Sequence, residues 1–398
     1  MRISSAYFSR KLATDYMQKQ SELAITQSQL ASGKKINRPS DDPAVAVVSG
    51  SLKQLSNQFG QFDRNSTFAE SRLAMEETAL GSVSNVLLRM KELALAANND
   101  TLSTEDNRAF LAEVEQQMLE LVDYANTTDA NGDFLFAGNK VSSKPFVGNK
   151  TIEYVGDDET KSIQIGTGRT VASSDSGADI FLRIRNGNGD LTVDASSANT
   201  GTGQISPASV TDRAVFEQQD FRVDFVSATS FNVINETTGA TVLSAQPFEP
   251  GETIEFAGIQ VDITGSPEAG DSFTIKPSSN QDLFTTVNNF IEILNTEPAN
   301  DTEEALRKQE LSGFISDLNQ AFEHINAKRS EVGTRQVYIE SSREENESVK
   351  AQIDITISGF EDLDYAEAVT RMESQLTSLE ALQSSFSRIE SLSLFDYL

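Results

Sequence analysis

After Pro43 the chain runs to Pro145 without another proline, and for the first half of that run apolar side chains return every three or four positions. Val48, Leu52, Leu55, Phe59, Phe62, Ser66, Ala69, Leu73, Glu76, Leu80, Val83, Leu87, Met90 and Ala94 alternate by four and three, and twelve of these fourteen are apolar. A spacing that averages 3.5 draws one straight seam along a supercoiled helix. Asp42-Pro43 supplies a start, an acceptor cap followed by proline in the first turn. From 43 to 98 such a helix is roughly 80 Å long at ~1.5 Å per residue, more than the diameter of a small domain, so this part of the chain is expected to form a rod. Each large apolar side chain on the seam offers ~1.5–3 kcal/mol on burial. Ordering each residue costs ~1–2 kcal/mol of backbone entropy, so one stripe cannot hold the helix alone and neighbouring helices are required.

Proline and glycine map the rest. All nine prolines lie outside 44–144 and 299–398, and fourteen of the 23 glycines fall in 141–281. Since proline breaks helix interiors and glycine weakens them, the order reads helical, then β with turns, then helical. The expected fold is α+β: a long antiparallel coiled-coil rod formed by N- and C-terminal arms, with an inserted β-rich domain. The expected division is 1–42, an N-terminal assembly helix; 43–140 and 282–357, the two halves of the rod; 141–281, the β-rich outer insertion; and 358–398, a C-terminal assembly helix.

In the arms, Ser103 and Asp106 resemble a helix-start pair, with Phe110, Val114, Met118, Leu121 and Ala125 on one face to about 126. A short helix carries Leu283, Val287, Phe290, Ile291 and Leu294 and stops before Pro298; a longer one from about 302 carries Leu311, Phe314, Leu318, Phe322, Ile325 and Val332. Residues 335–348 are much more polar and are expected to be exposed or loosely held, with the seam resuming at Val349, Ile353 and Ile357. In the middle, 151–155, 162–165, 221–225 and 253–256 alternate with period two and read as strands, whereas 194–209 reads as a loop.

The two ends differ in charge. Residues 1–40 carry net +5 and residues 360–398 net -6. Both show helical stripes, Leu12, Tyr16, Leu23 and Leu30 on one and Val369, Met372, Leu376, Leu379, then Leu382, Phe386 and Ile389 on the other. Opposite charge suggests that the ends pair; independent solvated helices with a chance charge bias are the other reading. A segment of about 30 residues with one narrow stripe makes a marginal helix in water, so these stripes are the candidate assembly interface, ordered when neighbours cover them.

The formal net charge of -28 argues against nucleic acid as a partner, because phosphate recognition needs a basic footprint. Hydrophobic residues at 38% suit an extended molecule. Without cysteine there is no disulfide or thiol chemistry, and His324 alone cannot build the usual zinc site. No apolar run approaches the ~20 residues of a membrane span, and the N-terminus lacks the unbroken apolar core of a cleaved signal peptide. No cofactor or metal is expected. His324 reads as a solvated helix residue rather than a catalyst, and the pairs Asp41-Asp42, Glu303-Glu304 and Glu344-Glu345 read as caps or solvated carboxylates. The run 185–190, Arg-Asn-Gly-Asn-Gly-Asp, lacks the ligand spacing of a calcium loop and reads as a turn.

Several motifs carry a family resemblance. Leu30-Ala31-Ser32-Gly33-Lys34-Lys35-Ile36-Asn37, followed by Asp41-Asp42-Pro43-Ala44, resembles the flagellin-type N-terminal signature, and 358–366 (SGFEDLDYA) resembles its C-terminal counterpart. Arg38-Pro39-Ser40-Asp41-Asp42-Pro43, the turn at 131–138 (NGDFLFAG) and the ending Ser393-Leu394-Phe395-Asp396-Tyr397-Leu398 are similar to the hook-filament junction (hook-associated protein 3) family within that superfamily. The resemblance spans both arms and touches the middle at 270–275 (GDSFTI). It implies a non-enzymatic structural adaptor of the bacterial flagellum, exported by the flagellar type III route without a cleaved signal. The implied location is extracellular, in a ring at the junction of hook and filament. It also implies the partners: the first hook-associated protein on the hook side, flagellin on the filament side, sister subunits around the ring, and an export chaperone beforehand, with no nucleic acid and no membrane. In this family the terminal helices order on assembly. A flagellin-type filament subunit is the nearest alternative, and a secreted enzyme on coiled-coil arms is a distant third that would need a convergent cleft in the β segment.

Overall fold

The computed structural model of the protein describes residues 2–99, 103–148 and 151–395, with side chains at all of these except 2–6, 8, 9, 386 and 389–395. The chain divides into two compact units, residues 1–64 with 341–398, and residues 65–340. Six α-helices are present among the described residues: α1 (Arg2–Ser32), α2 (Pro43–Ala97), α3 (Thr104–Ala125), α4 (Leu283–Asn295), α5 (Asp301–Glu361) and α6 (Tyr365–Phe395). α2 and α5 each contribute to both units.

The helix starts are where the cap residues put them. Asp42 accepts from the amides of Ala44 and Val45, both at 3.1 Å, and opens α2. Ser103 and Asp106 satisfy each other's backbone amides at 3.2 Å and open α3. Asn300 and Glu303 cap α5 in a related way, Asn300 Oδ1 accepting from Glu303 N at 2.9 Å and Glu303 Oε2 from Ala299 N at 2.8 Å. Each such pair removes orphan donors that an uncapped helix leaves bare.

In the unit of residues 65–340, every seam position of α2 from Ser66 to Ala94 is buried, including the two polar ones. Leu73, Leu80, Leu87 and Met90 share a core with Val114 and Leu121 of α3, Phe284 and Phe290 of α4, and Leu311, Phe314, Leu318, Ile325 and Val332 of α5. Phe290 and Phe314 stack with ring centroids 4.2 Å apart. The polar position Glu76 accepts from the amide of Asp175 at 3.1 Å, and Asp175 is ion-paired with Arg335. Burial pushes the Glu76 carboxyl up, Asp175 pushes it the same way, and Arg335 only partly opposes them.

The segment read as one β-rich insertion carries two cores. Its first part holds β1 (Phe146–Val147), β2 (Glu153–Tyr154), β3 (Ser162–Gly166), β4 (Arg169–Ala172), a π-helical turn (Ala178–Leu182) and β5 (Ile184–Arg185). Phe146, Ile165, Val171, Ile180, Phe181 and Ile184 of this part are buried in the helical core. Phe146 lies 5.2 Å from Phe284, and Phe181 lies 5.3 Å from Phe136, ring to ring. The second part has a core of its own. It comprises β6 (Leu191–Ala195), β7 (Gln204–Ile205), β8 (Ser209–Val210), β9 (Phe221–Ser227), β10 (Ser230–Asn235), β11 (Thr241–Pro247), β12 (Thr253–Phe256), β13 (Ile259–Thr264) and β14 (Ser272–Pro277). An antiparallel sheet ordered β11-β10-β9-β14-β6 and a second ordered β12-β13-β7, with β8 also on β13, bury Phe221, Val223, Phe225, Val233, Ile254, Val261, Phe273 and Ile275 together. β15 (Asn280–Gln281) then pairs with β5 at the exit. Most of 194–209 is loop, as its composition suggests.

The turn at 131–138 joins the helical core directly. Leu135, Phe136 and Ala137 are fully buried. Gly138 has φ +64, and a Cβ there would stand 2.4 Å from the carbonyl oxygen of Asp157, so only glycine fits. Beneath the turn Arg72 is ion-paired with Asp129, both nearly inaccessible. Burial pushes Asp129 up, but the amides of Asn131 and Asp133 and the Arg72 guanidinium outweigh it, and the carboxyl stays below its usual range.

Two local expectations differ from what is observed. Residues 335–348 are a regular part of α5, with Ile339, Ser342 and Asn346 buried while Val337 and Tyr338 face solvent. The seam continues there through polar residues, which apolar periodicity does not register. His324 is tied down rather than solvated: its Nε2 lies 2.9 Å from the carbonyl oxygen of Asp179, and Lys328 reaches the Asp179 carboxylate at 2.5 Å.

Candidate assembly surface

The two signature motifs meet at an elbow in the unit of residues 1–64 with 341–398. α1 ends at Gly33, whose φ of +70 suits glycine and whose missing Cβ leaves room for the Tyr365 hydroxyl, 2.8 Å from where a Cβ would be. The chain then pairs with the end of α5: Lys35 N donates to Glu361 O at 2.6 Å, Leu363 N donates to Gly33 O at 3.0 Å, and Lys34 bridges to Asp362. Gln29 secures the loop from inside by donating to Lys35 O at 2.6 Å, and Asp41 accepts from the amides of Asn37 and Arg38 at 3.1 and 2.9 Å. Asp364 caps α6 through the amides of Ala366 and Glu367, at 2.9 and 3.1 Å.

Glu361 is the centre of the elbow. Its buried carboxylate accepts from Lys53, Ser49 and, at 3.1 Å, Lys34. These donors, Lys53 first, hold its carboxyl down to about 2 against the opposing effect of burial. The charge bias of the two ends is thus realised here, between Lys34 and Glu361. Farther out, the pairs Lys19–Glu22 at 2.7 Å and Arg371–Glu367 run along single helices.

Beyond the elbow α1 and α6 pack side by side, with Gln383 Nε2 donating to the Tyr16 hydroxyl at 3.0 Å. Leu12, Tyr16, Leu23 and Leu30 are half-buried, as are Met372, Leu379 and Leu382. Val369 and Leu376 are exposed. The side chains of Phe386 and Ile389, and residues 396–398 of the chain ending, lie outside the described residues. Apolar side chains elsewhere on α1 also face outward, among them Tyr7, Met17 and Ile25. The pair therefore covers its stripes only in part. Apolar periodicity missed Thr26, Gln29, Ser49, Glu361 and Ala368, all buried near the elbow. Four of the five are polar, and Glu361 was visible only through the motif that contains it.

Among the described residues no cluster of three or more His, Cys, Asp or Glu side chains is placed to hold a metal ion, and no described helix is long and apolar enough to cross a membrane.

Helical arms closed by a glycine elbow, with a β insertion between them, define a flagellin-type chain. The bacterial flagellin N-terminal helical region matches residues 3–141, the bacterial flagellin C-terminal helical region matches 315–398, and the D2-like domain of flagellar hook-associated protein 1 matches 194–277. The crystal structure of flagellar hook-associated protein-3 from Legionella pneumophila is 30% identical, with 78% of this chain and 98% of that chain aligned and a TM-score of 0.74. FlgL from Xanthomonas campestris is 30% identical over 76% of this chain and 98% of that one, with a TM-score of 0.71. Flagellar hook-associated protein 3 of Salmonella typhimurium is 31% identical over 184 residues, 46% of this chain. That match spans 58% of the Salmonella protein, less than two thirds of its length. The chain belongs to the hook-associated protein 3 (FlgL) family of flagellar structural proteins.

Proposed function

We propose that the protein is a structural adaptor of the bacterial flagellum, forming a ring where hook meets filament. The observation that carries the reading is the agreement along 98% of the length of known junction-family chains, together with a middle segment that matches a hook-associated domain. That middle segment weighs against a flagellin-type filament subunit, with which the arms are equally compatible. The half-covered stripes of α1 and α6 supply the mechanism. Leu12, Tyr16, Leu23, Leu30, Val369, Met372, Leu376, Leu379, Phe386 and Ile389 are the assembly interface, completed by neighbouring subunits. A ring closes through heterologous contacts, and two different end surfaces let it join unlike neighbours. Those neighbours are the first hook-associated protein on one side and flagellin on the other. An export chaperone covers the stripes before secretion, and export proceeds without cleavage of a signal. The working parts are the five segments 1–42, 43–140, 141–281, 282–357 and 358–398. The protein carries out no catalysis.

Deleting the gene tests this. The expected phenotype is cells that build hooks, lack filaments and shed flagellin monomer into the medium. Filaments of normal length on the deletion strain contradict the junction role.

A further inference from the structure

The chain contains three Asn-Gly pairs, Asn131-Gly132, Asn186-Gly187 and Asn188-Gly189. At such a pair the glycine nitrogen can attack the asparagine side-chain amide, an intramolecular reaction that a side chain on the following residue would hinder. The fold treats the three differently. Asn186 is held at its side-chain oxygen, which accepts from Ser279 N at 2.8 Å and Ser278 Oγ at 3.3 Å. The Gly187 amide beside it is buried and donates to Asp317 at 2.5 Å. Asn188 is held at both ends. Its Oδ1 accepts from Asp190 N at 3.1 Å and Leu191 N at 2.8 Å, and its Nδ2 donates to Ala208 O. Either side chain must break these bonds before its carbonyl carbon can turn toward the glycine.

Asn131 has no such restraint. Asn131 and Gly132 are both exposed, and among the described residues the Asn131 side-chain amide has no hydrogen-bond partner. The main chain around it is anchored instead. Asp129 Oδ1 accepts from Asn131 N at 2.8 Å and from Asp133 N at 3.1 Å, and Gly132 N donates to Asp129 O at 3.0 Å. The space beside Gly132 is open, since a Cβ there would meet nothing within 4 Å. Local opening of the one bond to Asp129 O, in an exposed turn, frees the nucleophile.

We propose that Asn131 is a site of spontaneous covalent conversion to aspartate and isoaspartate, from which the fold spares Asn186 and Asn188. The Gly132 nitrogen gives its proton to hydroxide and bonds to Asn131 Cγ. The bond from Cγ to the side-chain nitrogen breaks, and that nitrogen leaves as ammonia after taking a proton from water, which regenerates the hydroxide. Water then opens the resulting cyclic imide. Breaking its bond from Cγ to nitrogen gives aspartate; breaking its bond from the main-chain carbonyl to nitrogen gives isoaspartate. Water enters, ammonia leaves and no electrons are transferred. The isoaspartyl main chain runs through Cβ and Cγ, one carbon longer between the amides of residues 131 and 133. Those amides share the carboxylate that pairs with buried Arg72. The longer chain cannot keep both in place, whereas aspartate leaves the main chain unaltered.

The test ages full-length protein at pH 8 and 37 °C, digests it at mildly acid pH, where the reaction is slow, and maps the peptides by mass spectrometry. An isoaspartyl methyltransferase reads the isoaspartate. Residue 131 is expected to convert roughly tenfold or more faster than residues 186 and 188, whose side-chain hydrogen bonds must open first. In guanidinium chloride, where no fold distinguishes them, the three rates are expected to converge. The isoaspartyl fraction is expected to exchange its Asp133 amide about tenfold faster than the Asn131→Asp protein, as for loss of one hydrogen bond. A native rate at residue 131 no greater than at 186 and 188, or the same preference persisting in guanidinium chloride, overturns the assignment. Equal exchange in the isoaspartyl and Asn131→Asp forms overturns the consequence for the turn.

Discussion

The same helix, α2, is covered throughout its seam in one unit and only in part in the other, and the contrast is instructive. From Ser66 to Ala94 its seam is sealed inside a core to which α3, α4 and α5 all contribute. Between Val48 and Leu55 the same seam, with the same spacing, leaves Val48 and Leu55 open to solvent. Among the described residues, the unit formed by both chain ends has a small buried apolar cluster of Phe59, Phe62 and Ile353. A seam is thus a request for neighbours. Within 65–340 the chain supplies them itself; within 1–64 and 341–398 it supplies only some. The first unit has the means to fold alone. The second has an elbow fixed by hydrogen bonds and charge, and two long helices whose described stripe residues are covered only in part.

The largest expected effect separates the two units by assembly. Leu23→Asp or Leu376→Asp is expected to abolish incorporation into flagella while the unfolding free energy of the 65–340 unit in urea stays within about 0.5 kcal/mol of wild type, as for a surface change. Normal filament attachment in both mutants removes the stripes as the assembly interface. The converse substitution is Phe136→Ala, in the fully packed turn at 131–138. It is expected to cost about 3–5 kcal/mol in chemical denaturation, because the neighbouring rings cannot close the void. A loss under 1 kcal/mol would mean that this unit is less tightly packed than its burial indicates.

A smaller effect sharpens the comparison at the elbow. Glu361→Gln leaves Lys34 and Lys53 without their shared carboxylate and is expected to cost about 1–2 kcal/mol of local stability. The readout is faster hydrogen exchange at the amides of Lys35 and Leu363. Because the Glu361 carboxyl is held down to about 2 from 4.5, its contribution is present above about 4.5 and lost as pH falls toward 2. Exchange at these amides should therefore accelerate, after correction for intrinsic rates, over that acid window in wild type and not in the mutant.

Much of this organisation is legible in the sequence, for identifiable reasons. The α2 seam and the caps at Asp42, Ser103 and Asp106 are local signals, set by spacing and by donors a few residues away. They read correctly even where polar Ser66 and Glu76 occupy seam positions. Strands β9 and β12 show alternation because one face of each meets the sandwich core. Other features depend on distant partners. Phe146 and Phe181 lie in short or irregular elements, so nothing periodic announces that 146–185 belongs with the helices rather than with the sandwich. Ile339, Ser342 and Asn346 continue the α5 seam with too little apolar character to stand out. At the chain ends, the helical stripes could be read from periodicity, but the elbow could not. Glu361 gathers Ser49, Lys53 and Lys34 from about three hundred residues away in sequence, a convergence that only folding reveals.

Limited proteolysis of dilute full-length protein, set beside the assembled flagellum, weighs most directly on whether the chain ends need sister molecules for cover. Cleavage confined to residues 1–40 and 360–398 in the free protein, with both stretches resistant once assembled, is the predicted pattern. Termini that resist protease equally well in the isolated subunit would contradict it.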